Sequence, residues 1–326
     1  RTMEAYICKA RTPTVFSNIS LQIDDKNIGF LAKPLMDHCH FQVNEQNDWQ
    51  LTFFADTAFS ISLRVDFKED EEEFKRPKLA KAKWVGSAID LDKPRSDSDK
   101  ISFTSISQFI RGSQTLQSEQ YIETTNNRCI VADRDAIGYI SNSQEQFQRA
   151  MICLALGVAY RTVINEFMHK VTQATNSDNI AELLKLYRQI LTFNAGNYFR
   201  YPVDLTSHEL RIIWDTIHQN WCLQELNQEL TNQLTAVAEL LRAEQDKRDA
   251  EMKEQQTQLV SEQAERDAKK EASFNRRATM VGVLLGVLSV LTLVEVTPKH
   301  FSDFTSTWGK AINTLIQVKP TPQDKK

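Results

Sequence analysis

Between Pro202 and Gly282 the sequence contains neither proline nor glycine. Nothing there forces the backbone to turn, so a helix begun near Thr206 meets no local stop signal. Cysteine is scarce. Cys8, Cys39, Cys129, Cys153 and Cys222 are odd in number, scattered and without a CxxC pair, which argues against a disulfide framework and fits reduced thiols in a cytosolic compartment. Charge of a single sign is lacking too. With 39 basic and 43 acidic residues the net charge is −4, which argues against a generalised nucleic-acid binder and still allows a local basic patch. The opening RTMEAYICKARTP has no apolar core of signal-peptide length, so the N-terminal part is expected to stay in the cytosol.

Catalytic signatures are also missing. The chain has no Walker P-loop, no GxGxxG, no GxSxG and no evident Ser/His/Asp order, so neither an enzyme nor a cofactor is expected. Asp37-His38-Cys39-His40 is the one dense cluster of metal-ligand residue types. On a strand His38 and His40 would share a face, but zinc needs about four convergent ligands. The other histidines form no HxxxH, and His208 and His218 have ordinary spacing on one helix. The cluster therefore reads as a surface loop.

What the sequence does have is the run Ala278–Val296, ATMVGVLLGVLSVLTLVEV. A hydrocarbon core about 30 Å thick needs roughly 20 apolar helical residues, so this stretch has the length of a bilayer span. Arg276 and Arg277 precede it, and Pro298, Lys299 and His300 follow. Lys269, Lys270, Arg276 and Arg277 place the preceding body on the inner side by charge bias. Ala278, Gly282, Gly286 and Ser289 recur at helical spacing and share one face. Small residues let helix backbones approach closely where no hydrophobic force drives association. This face therefore packs helices together or lines a narrow pore, with Ser289 and Thr292 as its polar groups. The bland alternative is a simple anchor, since glycine is common in membrane helices. Glu295 lies roughly 140° around the helix from that face and near the interface, a place for a pore-mouth acid rather than a central filter.

Toward the N-terminus, residues 1 to about 140 read as β-rich. Tyr6–Cys8, Ile19–Ile23, Leu51–Phe54, Phe59–Phe67, Ile101–Ile110 and Cys129–Ile140 are short runs of β-branched and aromatic residues, and Phe59–Phe67 alternates most cleanly. Between the fourth and fifth runs an acidic segment from Glu69 to Glu73 is followed by Lys75, Arg76, Lys78, Lys81, Lys83 and Trp84. These six make a candidate ligand site, cations for phosphates and an indole for a base. The competing reading is a solvated loop whose positive charge balances the acidic run. Arg111, Arg128, Arg134 and Arg161 carry no recognisable pattern.

From about 142 the period becomes helical. Asn142 and Glu145 have N-cap spacing, and Phe147, Met151, Leu154, Ala155, Val158 and Phe167 form one apolar face. A second helix starts near Ser177 and ends at Asn194–Asn197. Thr206 and Glu209 form a capping box for a third. Its stripe from Leu210 to Leu241 leads into Arg242–Arg277, mostly Glu, Gln, Lys, Arg and Ala. Residues 207–296 are expected as one helix or one broken helix. The polar part reads as a weak coiled coil in an oligomer, with Met252 and Leu259 a heptad apart, or as a solitary helix held by pairs such as Glu244–Arg248. Phe301, Phe304, Trp308, Ile312, Leu315 and Ile316 then predict an interfacial amphipathic helix.

The expected architecture is α+β. It comprises a β-rich N-terminal cytosolic domain (1–140), a helical domain (141–241), a polar stalk helix (242–277), one C-terminal transmembrane helix (278–296) and an amphipathic tail (297–326). This order resembles CorA-type cation channels, in which long helices form a cytosolic funnel above an oligomeric pore. The Gly-Met-Asn signature of that family is absent. Glu295-Val296-Thr297-Pro298 stands in its place, and no second span follows. The chain is also similar in layout to membrane effectors of bacterial anti-phage operons, the Hailong channel effectors among them, which pair a cytosolic sensor with a short membrane segment and open on an oligonucleotide signal. The resemblance implies a homo-oligomer, a tetramer or pentamer, in the bacterial inner membrane, gated by a small nucleotide or oligonucleotide. A non-conducting membrane tether and a divalent-cation transporter are the alternatives.

Overall fold

In a computed structural model, residues 2–10, 19–45, 47–70, 84–92, 99–125, 128–141, 143–177 and 179–293 are described. The fold is mixed α+β. By packing, Arg1–Glu244 forms one compact unit and Gln245–Lys326 another.

The first unit is built on an eight-stranded sheet. Its order is β4 (His40–Val43), β5 (Trp49–Phe53), β6 (Ile61–Asp70), β1 (Thr2–Lys9), β7 (Trp84–Leu91), β10 (Ala136–Ile140), β9 (Arg128–Asp133) and β8 (Ile122–Thr125). All neighbours pair antiparallel except β7 and β10. The alternation of β1 divides its side chains between two cores. Met3, Ala5 and Ile7 join the large core with helix α3 (Gln144–Asn176), whereas Tyr6 joins a smaller one with α2 (Asp99–Arg111). Gln22–Ile23 and Lys26–Asn27 make the short hairpin β2–β3, and Lys33–Met36 is a single helical turn, α1.

The expected strand at Ile101–Ile110 is instead helix α2. Phe103, Ile106 and Ile110 recur at helical spacing, and Ile106, Phe109 and Ile110 are buried on the sheet. Tertiary packing here outweighs the β-preference of isoleucine and phenylalanine. α2 lies so close to β10 that a Cβ on Gly138 would sit 2.2 Å from Ile106 Cγ2.

α3 is the axis of the large core. Every residue from Ala150 to Tyr160 is buried, so the single apolar face expected from Phe147, Met151, Leu154, Ala155 and Val158 is in fact apolar all round, the mark of a helix enclosed by protein. By length and composition it is the one helix among the described residues able to cross a membrane, and 72% of its apolar window is buried inside the protein. Ser143 occupies its N-cap position without a side-chain hydrogen bond. Asn142 lies outside the described residues.

α4 (Ile180–Gly196) is capped by Asn179, whose side chain accepts from Glu182 N–H. α5 (His208–Asn220) is capped by Ser207, not by the expected Thr206, through a 3.4 Å bond from Leu210 N–H. Thr206 instead bonds Asp204. The segment joining α4 to α5 also reaches back to the sheet unit, with Ala32 N–H donating to Pro202 C=O and Asp204 N–H to Phe30 C=O. After α5 the chain breaks at Trp221 and Cys222, and α6 (Leu223–Leu293) follows without interruption.

Candidate functional site

Two places bring chemistry together: the corner between α5 and α6, and the apolar end of α6. At the corner, Cys222 takes a left-handed φ of 48°, uncommon for a residue with a side chain. Trp221 explains why the chain turns there. Its indole N–H donates to Arg134 C=O at 2.6 Å, in the turn between β9 and β10, and the Asn220 amide donates to the same carbonyl. The Arg161 guanidinium stacks 4.5 Å from the ring centroid and pairs with Asp135. The ring occupies a slot that only glycine leaves open, since a Cβ on Gly157 would lie 2.6 Å from Trp221 Cζ3. The β9–β10 turn, α3 and the start of α6 are thereby tied to one side chain.

The N-terminal end of α5 is tied to the same part of the sheet. The Glu209 carboxylate accepts from Arg128 at 2.9 Å, from Thr124 at 3.4 Å and from the Tyr139 hydroxyl. The glutamate side chain is 11% exposed. Burial, followed by this carboxylate, pushes the Tyr139 hydroxyl well above the usual phenol range and keeps it a donor. Glu209 therefore serves the sheet rather than the expected capping box. A partly buried charge accepting charge-assisted bonds outweighs a cap on a solvated end.

Beneath the corner lies His218, in the last turn of α5. It is 7% exposed, its Nε2 has no hydrogen-bond partner, and its ring centroid is 5.8 Å from that of Trp214. Burial first, and Arg200 second, hold its pKa below the ordinary histidine value, while Glu225 and Asp215 oppose the shift. Tyr198 donates to Leu223 C=O and Arg200 to the Gln224 side chain, pinning the segment before α5 to the first turn of α6.

At the other end of α6, Ala278, Gly282, Gly286 and Ser289 are exposed, as are Met280, Val281, Val283, Leu284, Leu285 and Leu288. A Cβ on Gly282 or on Gly286 meets nothing within 4 Å. The Ser289 hydroxyl donates to Leu285 C=O at 2.8 Å. Thr292 lies within the bounds of α6, but its side chain is outside the described residues, as is Glu295. Met252, Leu259 and Phe274 are exposed along the polar part of the helix.

Of the basic candidate site, Lys75, Arg76, Lys78, Lys81 and Lys83 lie outside the described residues. Trp84 opens β7, half-buried, with its ring edge-on to Tyr6 at 3.8 Å. That ring is already engaged in packing. A cavity of about 520 Å³ at the start of α3 is lined by Gln22, Asp24, Asp25, Ser143, Gln144, Glu145 and Gln148. Its three carboxylates make it a poor receptor for phosphates. Among the described residues no group of three or more His, Cys, Asp or Glu side chains converges to hold a metal, and Asp37, His38, Cys39 and His40 do not come together. Burial pushes the Cys39 thiol up to about 12.

Trp221, Gly157, Arg161, Glu209 and Tyr139 emerge as a unit only in three dimensions. Arg128 and Glu209 are 81 residues apart, and no local spacing announces such a pair. A comparison with family models, with curated proteins and with solved structures finds no match to this chain.

Proposed function

We propose that the chain is a single-span membrane protein that assembles through the face of Ala278, Gly282, Gly286 and Ser289, and that this assembly is an ion-conducting or membrane-disrupting effector gated by its cytosolic N-terminal body. One observation carries the reading. Glycine in a helix interior costs about 1 kcal/mol relative to alanine, and folded chains keep it there for a reason. Gly157 has one inside this chain, the Trp221 ring. Gly282 and Gly286 have none, because the space around them is empty. A neighbouring helix at close approach supplies the missing reason, and the exposed apolar side chains from Met280 to Leu288 need a cover that water does not provide. The corner at Trp221 supports a route for the signal, since it ties the sheet to the chain two residues before α6.

Gly286→Leu tests this directly. The wild type reconstituted in a planar bilayer passes current, and the variant folds yet conducts at least tenfold less, because a leucine on that face holds the helices apart. Equal conductance in the two proteins rejects the pore. Nucleotides and oligonucleotides are the first ligands to add, on the strength of the layout shared with anti-phage effectors.

A second reading, a non-conducting tether that docks a partner on the membrane, is favoured by Ser289. Its hydroxyl proton is spent on Leu285 C=O and so is not offered to a passing anion. Absence of current under every ligand, with intact self-association, selects it.

A further inference from the structure

We infer that the exposed side of α6 opposite the glycines is a docking face for anionic phospholipid headgroups, and that the two faces divide the helix between its neighbours and the surrounding lipid. This rests on the membrane reading above. Residues 266–277 contain five cations, Arg266, Lys269, Lys270, Arg276 and Arg277, against two acids, Asp267 and Glu271, a local charge of 5 − 2 = +3. At about 100° of turn per residue, Arg266, Lys270 and Arg277 fall within about 40° of each other, and Lys269 and Arg276 widen the arc to about 120°. Ala278, Gly282, Gly286 and Ser289 occupy an arc of about 80° centred roughly opposite. Asp267 and Glu271 lie toward the glycine side. When glycines bring helices together, the cations are therefore turned outward.

Three of the cations are held only by exposed pairs, Arg266 by Glu262 on the same face at 3.9 Å. Lys269 and Lys270 are more than 80% exposed, and their contacts with Glu265 at 4.0 Å and Asp267 at 3.7 Å are long. Exposed pairs of this kind hold a cation weakly. None of the ion pairs found among the described residues uses Arg276 or Arg277. These two adjoin Ala278, the first residue of the apolar run, and so lie at headgroup depth. Lys269 and Lys270 lie about 10–12 Å further from the run at 1.5 Å per residue, about one Debye length at physiological salt. Both arginines can make bidentate bonds to phosphate, and Phe274, 70% exposed, adds an apolar side chain at the same level.

The test uses the full chain in nanodiscs of mixed phosphatidylglycerol and phosphatidylcholine, with retained lipids counted by native mass spectrometry. The wild type keeps phosphatidylglycerol in excess over its bulk fraction. Arg276→Gln with Arg277→Gln lowers that excess by about fivefold for each cation removed, and Arg248→Gln leaves it unchanged. A wild-type ratio equal to bulk, or a ratio unmoved by the double substitution, overturns the docking face while leaving the membrane span intact. Tight binding of inorganic phosphate by the detergent-solubilised protein, lost in the same variant, assigns the face to a soluble anion and also overturns it. Protein that never enters the nanodisc overturns the span itself.

Discussion

Gly157→Ala sets helix propensity against packing, and the structure decides the sign. On propensity alone the alanine gains about 1 kcal/mol in the middle of α3. The new methyl group, however, falls 2.6 Å from Trp221 Cζ3 and 2.8 Å from Ile217 Cγ2, whereas carbon atoms rest at about 3.5–4.0 Å. The indole must retreat by about 1 Å to restore that contact distance. Its N–H bond to Arg134 C=O, now 2.6 Å, then stretches beyond hydrogen-bonding range. Overpacking costs about 1–3 kcal/mol and the lost bond about 1 kcal/mol more. Against the propensity gain, the net loss is about 1–3 kcal/mol. For a unit of this size that lowers Tm by roughly 3–10 °C, readable by calorimetry. The same substitution made beside Trp221→Leu loses the indole contact and keeps only the one with Ile217 Cγ2 at 2.8 Å, so its cost there is smaller. A Gly157→Ala protein that melts higher than the wild type refutes the claim that Trp221 fills the slot.

The Glu209 network and His218 give two further tests. Glu209→Ala strands the Arg128 cation and the Tyr139 hydroxyl, and costs about 2–3 kcal/mol, below the range for fully buried pairs because Arg128 is one-quarter exposed. Tyr139→Phe costs about 1 kcal/mol, and denaturant titration that ranks the two in the opposite order rejects the network. His218 binds its proton less readily in the folded protein than in the unfolded chain, whose ordinary value is 6.5. Its contribution to stability is therefore full above that pH and falls below it, by up to about 1.4 kcal/mol per pH unit. In melting curves between pH 7 and 5, His218→Phe flattens this loss, and an unchanged slope shows that other groups carry it.

Much of the sheet was legible because its alternation is local. Phe59–Phe67 appears as β6 from Ile61, and Cys129–Ile140 as the β9–β10 hairpin. Ile101–Ile110 misled because residue type spoke for strand while the spacing of Phe103, Ile106 and Ile110 spoke for helix. Thr206 and Glu209 matched a capping box by spacing alone. Arg128 and Tyr139, remote in sequence, drew the glutamate away, and Ser207 took the cap. The break at Cys222 was invisible for the same kind of reason. No glycine or proline marks it, and the turn is imposed by what Trp221 grips on two other elements. The absence of punctuation between Pro202 and Gly282 suits the 71 residues of α6, but the single helix it allowed from residue 207 is broken at Trp221 and Cys222 within that same stretch.

The enclosure of α3 also bears on how the chain is made. Gln144–Asn176 presents an emerging polypeptide with the length and apolarity of a membrane span, yet 72% of its apolar window ends inside the protein. At about 5–20 residues per second the 33 residues of α3 take roughly 2–7 s to appear. By then all ten strands of the described residues are already synthesised, so an apolar sheet face is ready to receive the helix as it emerges. The order of elements along the chain thus gives its most apolar helix a protein cover as soon as that helix is made.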